Sequence, residues 1–494
     1  MGRNASQVEV PLPEIILRSN DFVQQEYSNR KTGVKFHLSY FSTLVDEKVI
    51  QQDILPSLLE RHFEFIDDVT AVVPMTGIEF LNDPDKLEEK VLRGYLLLTV
   101  SSDPGKFALF ETKGANARAI AQPEVEFSVI GPKEAFVESL ATNTNLIRKR
   151  LPIKELVAEE IIIGRLTKTK VSVFHIEGIT DADNVKTITE RIKAIDFDAV
   201  IDSSYIVQLI SDNRYSPFPQ LLDTERPDRV AAILAEGKVA VLVDGSPHAL
   251  IGPTTLSEFF SSFDDYFLNW VVASFFRVIR LLSIIFSVLI TPIYVAVLTF
   301  HYELIPKDLL TTLVSSRRLI PLPPILEALF LELTIELLRE AGARLPTKVG
   351  QTIGIVGGIV IGTASVDAGL TSNVLLIFVA LAGLASFTTP VYKMGNTIRL
   401  LRFPFLLFAS VWGLLGIAFC LCILLTHLIR LTSMNRPFLE PFYPPRMKDN
   451  KDTLIRLPFS AQKTRPLFLR TKNPIRFNPK KMKQLEDMDD DIDD

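Results

Sequence analysis

Four glutamates and an arginine stand in a part of this chain that is otherwise almost free of charge. The segment LEALFLELTIELLRE (326–340) carries Glu327, Glu332, Glu336, Arg339 and Glu340, and uncharged runs lie around it at 281–300, 349–366, 368–392 and 403–426. A helix is the expected form, because Pro321, Pro323 and Pro324 cannot continue a helix from before them but can begin one. At 100° per residue, Glu332, Glu336, Glu340 and Arg339 fall within about 100° of one another, while Glu327 lies across the helix. Like charges four residues apart oppose a helix unless water, a counter-ion, a partner chain or Arg339 compensates them. Each charge at mid-bilayer costs roughly 2.5–3.5 kcal/mol, more than the apolar neighbours return at about 0.3–0.6 kcal/mol each, so the segment cannot insert as an isolated lipid-facing span. Two arrangements remain. Either the helix lies at the interface with its glutamates in water, or copies of it assemble with the acidic stripe inward, lining a cation path as rings of carboxylates do. Glu332, Glu336 and Glu340 are the candidate pore-lining residues.

The other chemistry-bearing residues do not group. The six histidines are scattered singly, and the sequence contains no HExxH, CxxC, GxSxG or GxxxxGK[ST] motif. No enzymatic activity, catalytic residue, metal, cofactor or nucleic-acid partner is expected. Cys420 and Cys422 sit inside the last apolar run, where small hydrophobes are expected to pack. The ERPD stretch at 225–228 reads as a helix start with local ion pairs, with partner docking as the alternative. Near the N-terminus, a myristoylation pattern (Gly2, Ser6) and a glycosylation sequon (Asn4) are short enough to arise by chance.

The elements that must position the glutamates are the apolar runs themselves. Each is close to or above the ~18 residues of a membrane-span candidate. Within 349–366, Gly354, Gly358 and Gly362 form a doubled GxxxG, which suits close helix packing or, alternatively, a re-entrant segment. Arg277 and Arg280 precede the first run and favour a cytoplasmic N-side, and Lys393, Arg399 and Arg402 mark a second inner loop. Five full crossings would then leave the tail outside, although residues 427–483 carry 14 Lys/Arg against three acids. An even number brings it in. The acidic helix, the Gly-rich segment or the last run, with Pro404, Gly413 and Gly416, is therefore expected not to cross fully.

With 494 residues and a net charge of -5, the chain divides by hydropathy. We expect a flexible stretch at 1–30, a cytoplasmic α/β (mixed) soluble N-terminal domain over 31–270, and an α-helical polytopic membrane domain over 271–430 with 4–5 spans or re-entrant segments. A polar tail, basic then acidic, follows at 431–494. No basic run leads into a short apolar core at the start, so a cleaved signal is not expected. Strands are expected at 95–100, 170–176 and 239–243, the last in a hairpin with 248–251 across an Asp-Gly turn. Helices are expected at 133–146, 183–194 capped by Asp183, and 227–236 opened by Pro227.

Long stretches then point to a family. GPKEAFVESLATNTNLIRKRL (131–151), SPFPQLLDTERPDRVAAILAEGKVAVLVDGSPHALIGP (216–253), LPPILEALFLELTIELLREAGARLP (322–346), IVGGIVIGTASVDAGL (355–370), ALASFTTP (383–390) and KDTLIRLP (451–458) resemble the A subunits of GerA-type spore germination receptors. The resemblance covers most of the chain after about residue 35. It implies a spore inner-membrane protein that works with a transporter-like B subunit and a lipoprotein C subunit. It also implies a homo-oligomer acting as a nutrient-gated cation channel. It carries no ligand-binding residues onto particular positions. The alternatives are the related stage V sporulation AF branch, which would amplify ion release without its own nutrient sensor, and a non-conducting membrane scaffold.

Overall fold

Alternation along short, almost wholly apolar strands sets the architecture of the first half of the chain. In the strand Tyr95–Val100 every residue is buried, with Leu96, Leu98 and Val100 in one core and Tyr95 and Leu97 in another. In Val239–Val243, Ala240 and Leu242 face one core and Val239, Val241 and Val243 the other. A strand that is apolar on both faces must be covered on both, and helices and loops do so here. The computed structural model describes residues 12–112, 122–124, 126, 130–345, 357–360, 362–446, 449 and 452–477.

The N-terminal domain is a mixed sheet-and-helix domain with two five-stranded sheets. In the first, β1 (Phe22–Ser28), β2 (Lys35–Phe41), β3 (Glu79–Leu81), β4 (Tyr95–Val100) and β5 (Phe107–Glu111) lie in the order β1-β2-β4-β5-β3. The second holds β6 (Leu156–Ile163), β7 (Thr169–Ile176), β8 (Leu222–Thr224), β9 (Val239–Val243) and β10 (Ala249–Gly252) in the order β6-β7-β9-β10-β8. All described pairings within them are antiparallel. Arg148, 2 % exposed, joins the two sheets by an ion pair to Asp21 and a 2.7 Å hydrogen bond to Ser19.

Expected strands 95–100 and 239–243 form at those bounds, and 170–176 gains Thr169. The hairpin from β9 to β10 forms, and the helix Pro227–Glu236 ends at Gly237 with φ 103, the left-handed cap a glycine supplies. Three expectations are corrected. The helix placed at 133–146 is Leu140–Arg150, because Ser139 caps it and the Asn143 amide ties down the Val137 backbone, leaving 133–139 irregular. The next helix is Ala182–Lys193, capped by Asp181 rather than Asp183. Within the stretch 1–30 expected to be flexible, β1 pairs with β2 along its whole length.

From Trp270 to Arg430 the described residues are mostly helical. Helix α1 (Trp270–Phe300) starts against the N-terminal domain, where Arg277 meets Asp265 at 3.3 Å, and ends beside Gly413. After α2 (Lys307–Arg317) comes α3 (Pro324–Ala343), which runs back toward the domain, as does α4 (Asn373–Ser386). Between them a helical stretch at 357–360 and 362–367 runs outward, from Gly357 beside Leu338 to Gly369 beside Leu319. Two helices, Trp270–Phe300 and Tyr392–Arg430, are long and apolar enough to cross a membrane by length and composition.

The second of these, α5 (Tyr392–Arg430), is not straight. A continuous helix of that length would span about 58 Å. Yet Thr397 donates to the Pro217 carbonyl and His427 sits 2.8 Å from Ser216, so both ends rest on one segment of the N-terminal domain. The backbone leaves the helical region at Gly413 (φ 59, ψ -137), and the two arms approach so closely at Gly416 that a Cβ there would overlap the Phe408 carbonyl. The last apolar run is thus the top of a hairpin, with arms of about 31 and 25 Å at 1.5 Å per residue. Among the described residues, α1, α3, the stretch at 357–360 and 362–367, α4 and the two arms make an even number of passes. The chain returns to the side it left.

The tail accordingly folds onto the N-terminal domain. β11 (Thr432–Ser433) pairs with β12 (Arg436–Pro437), Arg436 reaches Asp181 at 2.7 Å, and Arg476 reaches Glu236 at 2.6 Å. The expected acidic end lies outside the described residues. Replacing Gly416 by Val, or Gly413 by Ala, removes the close approach or strains the positive φ, costing about 1–3 kcal/mol. Thermal unfolding of the purified full chain should show both variants less stable than wild type, whereas Gly383→Ala, where an added Cβ meets nothing within 4 Å, should not.

Candidate functional site

The charges of α3 form a column through the apolar helices. Glu327 and Glu332 are 0 % and 1 % exposed, together with Ala328 and Leu331 between them. On the opposite side Leu326, Leu333 and Leu337 are 48 %, 51 % and 69 % exposed, and Phe330 joins them. This helix is charged inside and apolar outside. An interfacial helix with its glutamates in water would have the reverse distribution, so that arrangement is overturned for Glu327 and Glu332.

Each level of the column has its own partners. Glu327 takes an ion pair from Arg317 at 2.7 Å. Glu332 pairs with Arg402 at 3.0 Å and accepts from Thr291 Oγ1 at 3.0 Å, while Arg402 also donates to Ser287 Oγ at 2.6 Å and to the Ala382 carbonyl at 2.8 Å. Glu336 receives Arg339 at 2.9 Å on both oxygens, with Arg399 at 3.8 Å, and Arg339 lies 5.1 Å from the Phe387 ring. Glu340, exposed, pairs with Arg344. Among the described residues, Glu327 Oε2, Arg317 Nε, Arg402 Nε, and Arg339 Nε and Nη2 are buried without a hydrogen-bond partner, so the column keeps unused hydrogen-bonding capacity at three levels. Such capacity is uncommon in a packed interior, because each unmade bond costs about 1–3 kcal/mol.

The three candidate residues are therefore placed differently. Glu332 is enclosed within its own chain, Glu336 sits at the border of the outward apolar stripe, and Glu340 lies beyond it. Glu327, expected across the helix, is buried too, because α2 and α4 cover that side. Of the glycines, Gly354 lies outside the described residues, Gly358 has nothing within 4 Å of an added Cβ, and Gly362 has Leu376 at 3.7 Å. Gly357, one residue off the expected face, makes the tight approach, to Leu338.

Sequence reasoning missed Arg402, Arg317, Ser287 and Thr291. Arg402, expected with Arg399 to mark an inner loop, is 1 % exposed and held by Glu332. Arg277 and Arg280 lie within α1 and are committed to Asp265. Ser287 and Thr291, four residues apart on one face of α1, were the available signal. ERPD has the ordinary role: Arg226, 1 % exposed, bridges Asp228 at 2.8 Å and Asp264 at 2.7 Å. Cys420 is buried and Cys422 exposed, both as free thiols.

Comparison with known proteins adds to this geometry. The model of the family described as "Bacillus/Clostridium GerA spore germination protein" matches residues 11–468. Spore germination protein GerQA of Bacillus cereus is 49% identical over 96% of this chain and 94% of its own length. Spore germination protein A1 of Bacillus subtilis is 38% identical over 90% of this chain and 92% of its own. Among solved structures, the N-terminal domain of the A subunit of the Bacillus megaterium spore germinant receptor GerK3 is 31% identical. It covers 49% of this chain and 91% of that one, with a TM-score of 0.38.

Breaking a buried ion pair on one side leaves a desolvated charge and costs about 3–5 kcal/mol, whereas replacing both partners by apolar groups is often neutral. Arg402→Leu should therefore lower the amount of folded protein recovered from membranes several-fold, and Arg402→Leu with Glu332→Leu should restore most of it. A double variant no better than the single one would show that the pair is not the unit that matters.

Proposed function

The chain belongs to the GerA family of spore germination proteins, and from that premise we propose that it is the A subunit of a nutrient germinant receptor in the spore inner membrane. It works with a transporter-like B subunit and a lipoprotein C subunit. Copies of the chain assemble around a cation path whose opening starts germination, and the N-terminal domain and the tail lie together on the cytoplasmic side. The observation that carries this reading is the reversed amphipathicity of α3, with apolar side chains outward and ion-paired glutamates inward. Such a helix suits a lipid or protein surround, not water.

Within the assembly, Glu336 and Glu340 are the acids best placed to meet a neighbouring copy, because Glu336 borders the outward stripe and Glu340 lies just beyond it. Glu332 and Arg402 brace the helix that presents them. In the single chain Arg339 and Arg399 hold Glu336, which is the arrangement of a closed path. Opening requires Glu336 to exchange these partners for a hydrated cation, a shift between two packings that nutrient binding in the partner would bias. One observation favours a non-conducting scaffold instead: every glutamate of α3 already has a basic partner within the chain.

Two experiments separate these readings. Nutrient-triggered potassium and sodium release is measured from spores with wild-type protein, with the gene deleted, and with Glu336→Gln at checked abundance. Loss of release for one nutrient class on deletion, with release slowed severalfold by Glu336→Gln, supports the receptor channel. Weakened release for every nutrient would instead mark an amplifier, and release unaffected by Glu336→Gln a scaffold. Gly358 has open space beyond it in the single chain. Gly358→Leu should therefore leave the folded monomer intact while shifting the purified protein to smaller assemblies in mass photometry.

A further inference from the structure

The tail does more than cover the N-terminal domain: between them they form an open cavity of about 700 Å³, within the range of small-molecule sites. Five aromatic rings line it. Phe263, Tyr266 and Phe267 come from the domain, Phe459 and Phe468 from the tail. Each ring already has a cation over it. Arg226 lies 5.1 Å from the Phe263 centroid and 5.9 Å from that of Phe267, Arg456 is 5.6 Å from Tyr266 and 4.6 Å from Phe459, and Lys238 is 5.6 Å from Phe468. A ring whose π-cloud is engaged by one cation has less attraction left for a second, so these walls favour a neutral apolar or aromatic body over a cationic one.

Charge at one wall is uneven. Arg229, Lys238 and Arg476 are paired with Glu126, Glu258 and Glu236 respectively. Arg465, which also lines the cavity, has no carboxylate partner among the described residues. Its Nε donates to the Ala235 carbonyl at 2.8 Å and its Nη1 to the carbonyls of Asn473 and Ile475 at 2.9 and 2.7 Å, which fixes the group and leaves Nη2 uncommitted. Burial, and then the like charge of Arg476, push the Arg465 guanidinium down from its usual range, against Glu236. Glu236 itself is paired with Arg476. Of the other lining acids, Asp452 is taken by Arg277, and Asp449 accepts both its bonds from the Leu467 N–H.

We propose that this cavity is a binding site for a small molecule with an apolar or aromatic body and a single carboxylate, the body against the five rings and the carboxylate on Arg465. Because its two walls come from the N-terminal domain and the tail, a bound molecule strengthens the contact between them. The assignment does not depend on whether the chain conducts ions.

The test uses the full chain in lipid nanodiscs, titrated calorimetrically with naphthoate and, as a neutral analogue, naphthalenemethanol, with empty nanodiscs subtracted. Naphthoate should bind one saturable site, and Arg465→Gln should weaken it by about tenfold or more, the worth of one charge-assisted hydrogen bond, without changing the neutral analogue. Arg465→Lys should keep most of the naphthoate affinity. Ala232→Trp, at an exposed helix position on the cavity wall, should weaken both probes at least about tenfold by filling the space. No saturable binding, or naphthoate binding untouched by Ala232→Trp, overturns the site. Equal losses in the Lys and Gln variants overturn the carboxylate.

Discussion

A carboxylate and a guanidinium, each 1 % exposed, are held together by residues from four helices. Glu332 comes from α3, Arg402 from the outward arm of α5, Ser287 and Thr291 from α1, and the Ala382 carbonyl from α4. A desolvated charge that loses its partner is strongly destabilising, so this single cluster sets the relative height of all four helices. Arg402 must stand at the level of Glu332. The arm that carries it must therefore run outward, and the chain must turn back beyond it, at Gly413, to reach the N-terminal domain again.

A second cluster ties that bundle to the rest of the protein. Arg277 and Arg280 of α1 share Asp265 from the N-terminal domain, and Arg277 also holds Asp452 from the tail at 2.9 Å. Tyr266 donates to the same Asp452. Burial, and then the neighbouring carboxylate, push the Tyr266 phenol well above its usual range, and burial raises Asp452 despite Arg277. Tyr266 therefore stays a neutral donor. Domain, first helix and tail meet in one hydrogen-bonded unit, so a displacement of any one of them is felt by the other two.

Much of the fold could be read from local pattern. The strands at 95–100 and 239–243 are short apolar runs bounded by turn residues, and the helix at 227–236 is punctuated by Pro227 and Gly237. At 133–139 a side-chain hydrogen bond that periodicity does not register decided the matter: Asn143 holds the Val137 backbone out of the helix. The glutamates of α3 were legible as the unusual feature. Their environment was not, because helical spacing states which residues share a face and not which face meets the bundle. Ser287 and Thr291 would have hinted at a polar level in α1, but an isolated hydroxyl on a helix usually serves its own backbone.

By itself the sequence determined the division into a mixed domain, apolar helices and a polar tail, the principal strands, the position of the acidic helix, and the long stretches that mark the family. Those are properties of residues close in the chain or of composition over tens of residues. Tertiary structure alone decided that Glu332 finds Arg402 seventy residues later, that the last apolar run folds into a hairpin, and that the basic tail returns to the N-terminal domain. The physical reason is common to all three. A buried charge is paired by whichever partner the bends of the chain bring within about 3 Å, and a bend such as that at Gly413 is one residue's conformation, which no periodicity records.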